Sequence, residues 1–194
     1  MEKNVMMSPT CELVIIGGSS GSLDIVLKII SSLRKDISVA IVVVVHRKTT
    51  SDSTLSELFA IRSSLPVKEV EDKDEIIPGF VYLAPSDYHL LFEKRHVFAL
   101  DYSEKVNYSR PSIDVTFDSA AEAYGNNAVA ILLSGANADG TEGMKAIHQK
   151  GGITIAQTPG TASFPYMPEQ AILNAPIDFQ MSVEEMIGYI NGKQ

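Results

Sequence analysis

The run Val39-Ala40-Ile41-Val42-Val43-Val44-Val45 constrains this chain more than any other stretch of it. All but one of these residues are β-branched, and no polar residue interrupts them. Branching at Cβ restricts χ1 in a helix and suits the pleated surface of a sheet. A strand with one face in water alternates apolar and polar residues. A strand that does not alternate has to be covered on both faces, as in the middle of a parallel sheet. Parallel strands need crossovers, usually helical, so helical segments should flank this run.

They do. Before it, Glu12–Ile16 reads as a short buried strand running into glycines, and Leu23–Leu33 carries apolar residues at helical spacing. After it, Ser53–Ile61 reads as a helix with Ser51 or Asp52 as N-cap. From Pro66 to Leu100 the texture changes. Pro78-Gly79 marks a turn, Phe80–Ala84 a short strand, and Leu90–Phe92 with Val97–Leu100 a hairpin turning near Lys94-Arg95. Antiparallel strands are expected in this region. Ser112 opens a helix to about Tyr124, and Ala128–Leu133 is a second buried strand. Thr141–Lys150 is a helix closed by Gly151-Gly152, followed by a strand over Ile153–Ala156. Pro159–Met167 reads as a loop, with Pro168 as the first helical position of a segment reaching Asn174. Ser182, with Glu185 three residues on, forms a capping box for a last helix to Ile190. Strands alternating with helices predict an α/β fold on a mostly parallel sheet. The expected organisation is a loose tail over 1–10 and one domain over 11–194.

Composition excludes several functions. The net charge of −8, with no cluster of basic residues, argues against nucleic acid and anionic membranes as partners. One cysteine, Cys11, cannot form an internal disulfide. No run approaches the ~20 apolar residues that span a bilayer, and the first residues lack the pattern of a signal peptide, so a cytoplasmic protein is expected. No His, Cys or carboxylate pairs have metal-ligand spacing, and no metal or cofactor is expected.

In parallel α/β sheets the working site lies beyond the carboxyl ends of the strands. Three strand ends there carry suggestive residues. Gly17-Gly18-Ser19-Ser20-Gly21 links a strand to a helix and matches Gly-x-Ser-x-Gly, a tight, strained turn that exposes a serine hydroxyl. Amides near Ser20 and Gly21 can then face the oxyanion of an acyl-transfer intermediate. His46 ends the valine-rich strand, where a general base is well placed. Asp139 follows the strand Ala128–Leu133 through a short loop. Each has an ordinary explanation too: a glycine turn at a helix N-terminus, a histidine bonded to a loop, an aspartate capping the helix near Thr141. Neither nucleotide-binding glycine fingerprint is satisfied. Together, serine, histidine and aspartate supply the roles a hydrolase triad requires, in the chain order Ser, His, Asp. His89, His96 and His148 are read as surface or packing residues.

At these residues the sequence resembles the catalytic domain of the CheB-type chemotaxis protein-glutamate methylesterases. The similarity runs from about Leu13 to Asp178. It rests on Val14-Ile15-Ile16-Gly17-Gly18-Ser19-Ser20-Gly21, the strand ending in His46, and Tyr82-Leu83-Ala84-Pro85-Ser86-Asp87-Tyr88-His89. It continues through Arg110-Pro111-Ser112-Ile113-Asp114-Val115, Leu133-Ser134-Gly135, Asp139-Gly140 with Gly143-Met144, Ile155-Ala156-Gln157, and Met167-Pro168. The resemblance implies a doubly wound, Rossmann-like three-layer α/β fold with an antiparallel hairpin, and a triad of Ser19, His46 and Asp139. It implies hydrolysis of glutamate methyl esters on the helical cytoplasmic domains of receptors, with deamidation of glutamines beside it. Arg110 and Met167 are expected to line the cleft, Arg110 equally fitting a structural ion pair, and the loop Thr158–Met167 to form a wall. Three segments depart from the family pattern: Ser20-Gly21-Ser22 where Thr-Gly-Gly is usual, Arg47-Lys48-Thr49-Thr50 for Met-Pro-Pro-Gly, and Ala136-Asn137-Ala138 for Met-Gly-Asn. No receiver domain is expected, so the chain is read as either a stand-alone esterase or a component of a larger system, with a separate receiver or signalling protein as a candidate partner. The altered cleft also suits a catalytically silent module that docks on a receptor or signalling protein.

Overall fold

Strands β1 (Leu13–Gly18) and β2 (Ala40–Val45) are buried along their whole lengths and pair in parallel at the centre of a seven-stranded sheet. The computed structural model describes residues 11–47, 53–93 and 96–192. The remaining sheet strands are β3 (Val67–Glu69), β4 (Val81–Leu83), β7 (Ala128–Leu132), β8 (Ile153–Gln157) and β9 (Phe179–Met181). Their order is β3-β4-β2-β1-β7-β8-β9, and every neighbouring pair is parallel. The chain winds outward from β1 to one edge, returns beside β1 as β7, and winds to the other. The order therefore reverses between β1 and β7.

Helices cover both faces, as the unbroken apolar strands demand. On one face, side chains of α1 (Leu23–Ser31), α2 (Ser53–Arg62) and α6 (Val183–Ile190) pack on Val14, Ile16, Ile41 and Val43. On the other, α3 (Ile113–Tyr124), α4 (Thr141–Gln149) and α5 (Tyr166–Asn174) pack on Leu13, Ile15, Val42 and Val44. Alternate residues of one strand thus enter two different cores, the period-2 geometry of a strand applied to a two-faced sheet. β5 (His89–Glu93) and β6 (Val97–Asp101) form an antiparallel hairpin outside the sheet, packed on the second core through Leu90, Phe92 and Phe98. Among the described residues no helix is long and apolar enough to cross a membrane.

The expected α/β architecture with its hairpin is present, with local differences. Among the described strands only β5 and β6 pair antiparallel, since β3 and β4 run parallel. The turn expected at Pro78-Gly79 is present. It ends a crossover in which residues 70–80 lie along β6 (Ile76 N–H to His96 O, Phe98 N–H to Asp74 O), and Gly79 N–H then bonds Val39 O. Helix α5 starts at Tyr166, with Pro168 in its first turn, where a missing N–H costs nothing. Strands β3 and β9 have three residues each, too few to show a period. The capping box of Ser182 and Glu185 is formed. The tail 1–10, the caps Ser51 and Asp52, and the turn Lys94-Arg95 lie outside the described residues.

Candidate active site

The reversal between β1 and β7 opens a crevice at the carboxyl edge of the sheet. Ser19 leaves the end of β1, and its N–H bonds Ser134 O beyond β7. The turn closes through Ser22, whose N–H and Oγ both donate to Ser19 O (3.0 and 2.7 Å). The strain expected at the serine falls elsewhere. Gly21 carries the left-handed φ of 77°, and Ser19 is not among the residues with positive φ. A Cβ on Gly21 would also lie 2.8 Å from Ser163 Cβ, so glycine there lets the turn nest against the 163–164 loop. Ser20 and Gly21 are exposed beside Ser19.

His46 follows β2, and its N–H bonds Gly18 O, which ties the two strand ends together. Its imidazole bridges the other two candidates. Nδ1 lies 3.1 Å from Ser19 Oγ, and Nε2 lies 2.7 Å from Asp139 Oδ2. Asp139 is wholly buried while the His46 side chain is 12% exposed, so only the serine end of the relay meets solvent. An ionised carboxylate can only accept. Nε2 therefore carries the proton, and the Nδ1 lone pair faces the serine hydroxyl.

Asp139 does not cap α4, whose N-cap is Gly140. It caps the neighbouring helix instead. Its Oδ2 accepts from Ile113 N–H (2.7 Å), and its Oδ1 from Asp114 N–H (3.1 Å), Ser112 Oγ (2.9 Å) and Asn107 Nδ2 (3.0 Å). Asp114, on α3, returns the contact, its Oδ1 accepting from Gly140 and Gly143 N–H at the start of α4 (2.9 and 2.8 Å). Asp139, just ahead of α4, thus bonds the start of α3, and Asp114 on α3 bonds the start of α4. Burial pushes the Asp139 carboxyl up, but hydrogen bonds from His46, Asn107, Ile113 and Asp114 outweigh it and hold it at about 2. Asp114 has fewer donors. Burial, with the charge of Asp139 added, raises it to about 6. Asp139 is thus an anion throughout the range above about 2, whereas Asp114 keeps its proton up to about 6.

Two further residues reach the relay unannounced by the sequence. Asn107 and Tyr108 both have positive φ (50° and 62°), and Val106 and Ser109 exchange hydrogen bonds across them, which makes a two-residue hairpin turn. Asn107 Nδ2 donates to both aspartates, at 2.8 Å to Asp114 and 3.0 Å to Asp139. Ser109 Oγ lies 3.4 Å from His46 Nδ1. Such turns usually announce themselves with glycine; here asparagine, which tolerates αL, is the only signal.

Arg110 lines a cleft of about 360 Å³ beside His46, together with Arg47, Lys105 and Tyr108. Its guanidinium is held, however, by Asp87 (2.7 Å), the carbonyl of Ser103 (2.7 Å) and the face of Tyr102 (3.9 Å). Asp87, in a turn at φ 69°, is thus the ion-pair partner of this arginine. Met167 offers no surface to a substrate. It is fully buried, its N–H donates to Gly135 O, and its side chain fills the space that a Cβ on Gly135 would need. Phe164 and Tyr166 flank it on the surface. The other histidines stand apart from the relay. His89 is buried between Glu104 O and Ser112 N–H, His96 packs edge-on against Tyr124, and His148 lies near Asp178. Among the described residues no cluster of three His, Cys, Asp or Glu side chains could hold a metal ion.

Comparison with known proteins bears on the fold and the family. A relative in Leptospira interrogans serogroup Icterohaemorrhagiae serovar copenhageni is 38% identical over 175 residues, covering 90% of this chain and 91% of that one. The protein-glutamate methylesterase/protein-glutamine glutaminase of Thermotoga maritima is 37% identical over 171 residues, and this chain spans about half its length (50%). The crystal structure of the Thermotoga maritima CheB methylesterase catalytic domain superposes with a TM-score of 0.89 at 35% identity, over 93% of this chain and 97% of that one. The family model for the CheB methylesterase covers residues 14–190. Sheet order, serine turn and sequence match over nearly the whole chain lead to one assignment: this protein belongs to the CheB methylesterase family.

Proposed function

We propose that this chain is a serine hydrolase that removes methyl esters from glutamate side chains of chemotaxis-type receptors, with Ser19 as nucleophile, His46 as general base and Asp139 as its anionic partner. The observation that carries the reading is the continuous contact from Ser19 Oγ through His46 to Asp139, at 3.1 and 2.7 Å. His46 Nδ1 takes the hydroxyl proton as Ser19 Oγ attacks the γ-carbonyl of the methylated glutamate. Asp139 holds the proton on Nε2 and stabilises the imidazolium. Backbone N–H groups at Ser20 and Gly21, beside the start of α1, receive the developing oxyanion. Methanol leaves with the proton from Nδ1, and water then hydrolyses the acyl-serine to restore a carboxylate. A glutamine side chain would pass through the same acyl-serine with ammonia as the leaving group, and the relatives' name includes that activity. A substrate on the cytoplasmic helices of receptors supports a cytoplasmic location, with residues 11–194 acting as one catalytic domain.

A fluorophosphonate probe together with methanol release from methylated receptor tests the reading. The wild type should label at Ser19 and release methanol. Ser19→Ala should do neither, losing at least ~10³-fold in rate while its melting curve stays in place. A catalytically silent docking module predicts no labelling of the wild type, and that result would overturn the proposal.

A further inference from the structure

Two serine hydroxyls, from distant parts of the chain, approach one imidazole nitrogen. Ser19 Oγ lies 3.1 Å and Ser109 Oγ 3.4 Å from His46 Nδ1. The nitrogen has one lone pair, so it can hold only one of these protons at a time. Ser19 sits on the strand-to-helix turn, and Ser109 on the cleft wall with Tyr108 and Arg110. The backbone of Ser109 is fixed by its exchange of hydrogen bonds with Val106 (3.2 and 2.9 Å), and Asn107 anchors the same turn on Asp139. The side chain of Ser109 takes no part in holding that turn. Its hydroxyl is a polar group placed at the base nitrogen, on the wall of the cleft that His46 also lines.

We infer that Ser109 is a positioning residue for the second half of the reaction, holding the water that hydrolyses the acyl-enzyme. Once Ser19 Oγ is esterified it has no proton to offer, and Nδ1 loses its first partner. Nδ1 and Ser109 Oγ lie too close for a water to stand between them, but a water in the cleft beside both donates one proton to the nitrogen and accepts the serine hydroxyl proton, which aims its oxygen lone pair at the ester carbon. As the water oxygen bonds that carbon, its proton passes to Nδ1. The tetrahedral intermediate collapses with cleavage of the bond from carbon to Ser19 Oγ, and the proton on Nδ1 returns to that oxygen. The product is the glutamate carboxylic acid, which ionises, and Ser19 is free again. The role assumes Ser19 as nucleophile, as proposed above.

Competition between nucleophiles isolates this step. The purified chain, turning over an activated acetyl ester in the presence of hydroxylamine, forms acetate from water and acetohydroxamate from hydroxylamine, both from one acyl-enzyme. Their ratio does not depend on which step limits the overall rate. Hydroxylamine needs less help from a base and from a positioned hydroxyl than water does. In Ser109→Ala the hydroxamate-to-acetate ratio should rise about tenfold, the size of one hydrogen bond to a reacting group. Ser109→Thr, which keeps the hydroxyl, should stay within about twofold of wild type. A structural role alone would lower the total rate and leave the ratio in place, and an unchanged ratio in Ser109→Ala overturns the inference while the Ser19 reading stands. A wild type that forms neither product and fails to label at Ser19 overturns both.

Discussion

Asp139 faces five donors: His46 Nε2, Ile113 N–H, Asp114 N–H, Ser112 Oγ and Asn107 Nδ2. An amide in its place cannot satisfy them all. Asp139→Asn must turn its NH₂ toward at least two of these donors, and if it faces His46 it favours the tautomer with the proton on Nδ1, the wrong one for a base. Activity should fall by roughly 10³–10⁴-fold, as the equivalent change does in trypsin-type proteases. Because buried donors lose their acceptor, stability should fall too, by about 1–3 kcal/mol. Rate and melting temperature measured on one sample check both, and an unchanged melting temperature would mean the capping bonds contribute little. The sequence made the convergence of Ser19, His46 and Asp139 readable, because each stands just beyond a buried strand and parallel strands deliver their ends to one edge. It did not make the helix capping readable. Asp139 looked like a cap for the helix next to it in the chain, whereas the amides it accepts from belong to residues 26 and 25 positions earlier. Asn107 and Ser109 were missed for the same reason, since nothing local marks a side chain whose partner is remote.

Helices α3 and α4 carry the relay's anion between them, and their spacing rests on Gly143. A Cβ there would stand 2.5 Å from Phe117 Cβ and 3.2 Å from Asp114 Cα. Both atoms belong to the stem of α3 and cannot rotate away. Gly143→Ala gains up to about 1 kcal/mol in helix propensity but forces the helices apart, an overpacking that costs about 1–3 kcal/mol. The melting temperature should drop by several degrees, at ~2–4 °C per kcal/mol for a chain of this size. Separation also lengthens the bonds from Gly140 and Gly143 to Asp114 and shifts Asp139 relative to His46, so fluorophosphonate labelling of Ser19 should slow. Labelling at the wild-type rate in a destabilised variant would show that the relay tolerates the displacement. Elements of this kind differ in how openly the sequence declares them. β2, α3 and α6 are long or carry a capping residue, and their limits could be read closely. β3 and β9 are three-residue edge strands, defined by their neighbours more than by their own residues.

Across the molecule, two aspartates under the sheet's carboxyl edge pull stability in opposite directions as pH changes. In an unfolded chain both titrate near ~3.9. Asp139 is depressed to about 2 in the fold, so its contribution is present above pH ~4 and is lost as pH falls through 2. Asp114 is raised to about 6, chiefly by burial. Below pH ~4 it is protonated in both states and costs nothing. Between ~4 and 6 the unfolded chain releases the proton first, so the fold loses stability as pH rises, and above 6 that loss is complete. Asp114→Asn removes the second effect and leaves the first. Its Oδ1 can still accept from Gly140 and Gly143, and its NH₂ meets Asn107 at an exposed position where water can intervene. The melting temperature of the variant, taken relative to wild type, should therefore climb from pH 4 to about pH 6 and then stay level. Curves that run parallel from pH 4 to 8 would mean that Asp114 ionises in the fold as readily as in the open chain. In that case the mutual capping of α3 and α4 would bind both charges without penalty, and the anion on Asp139 would owe nothing to its neighbour's reluctance to ionise.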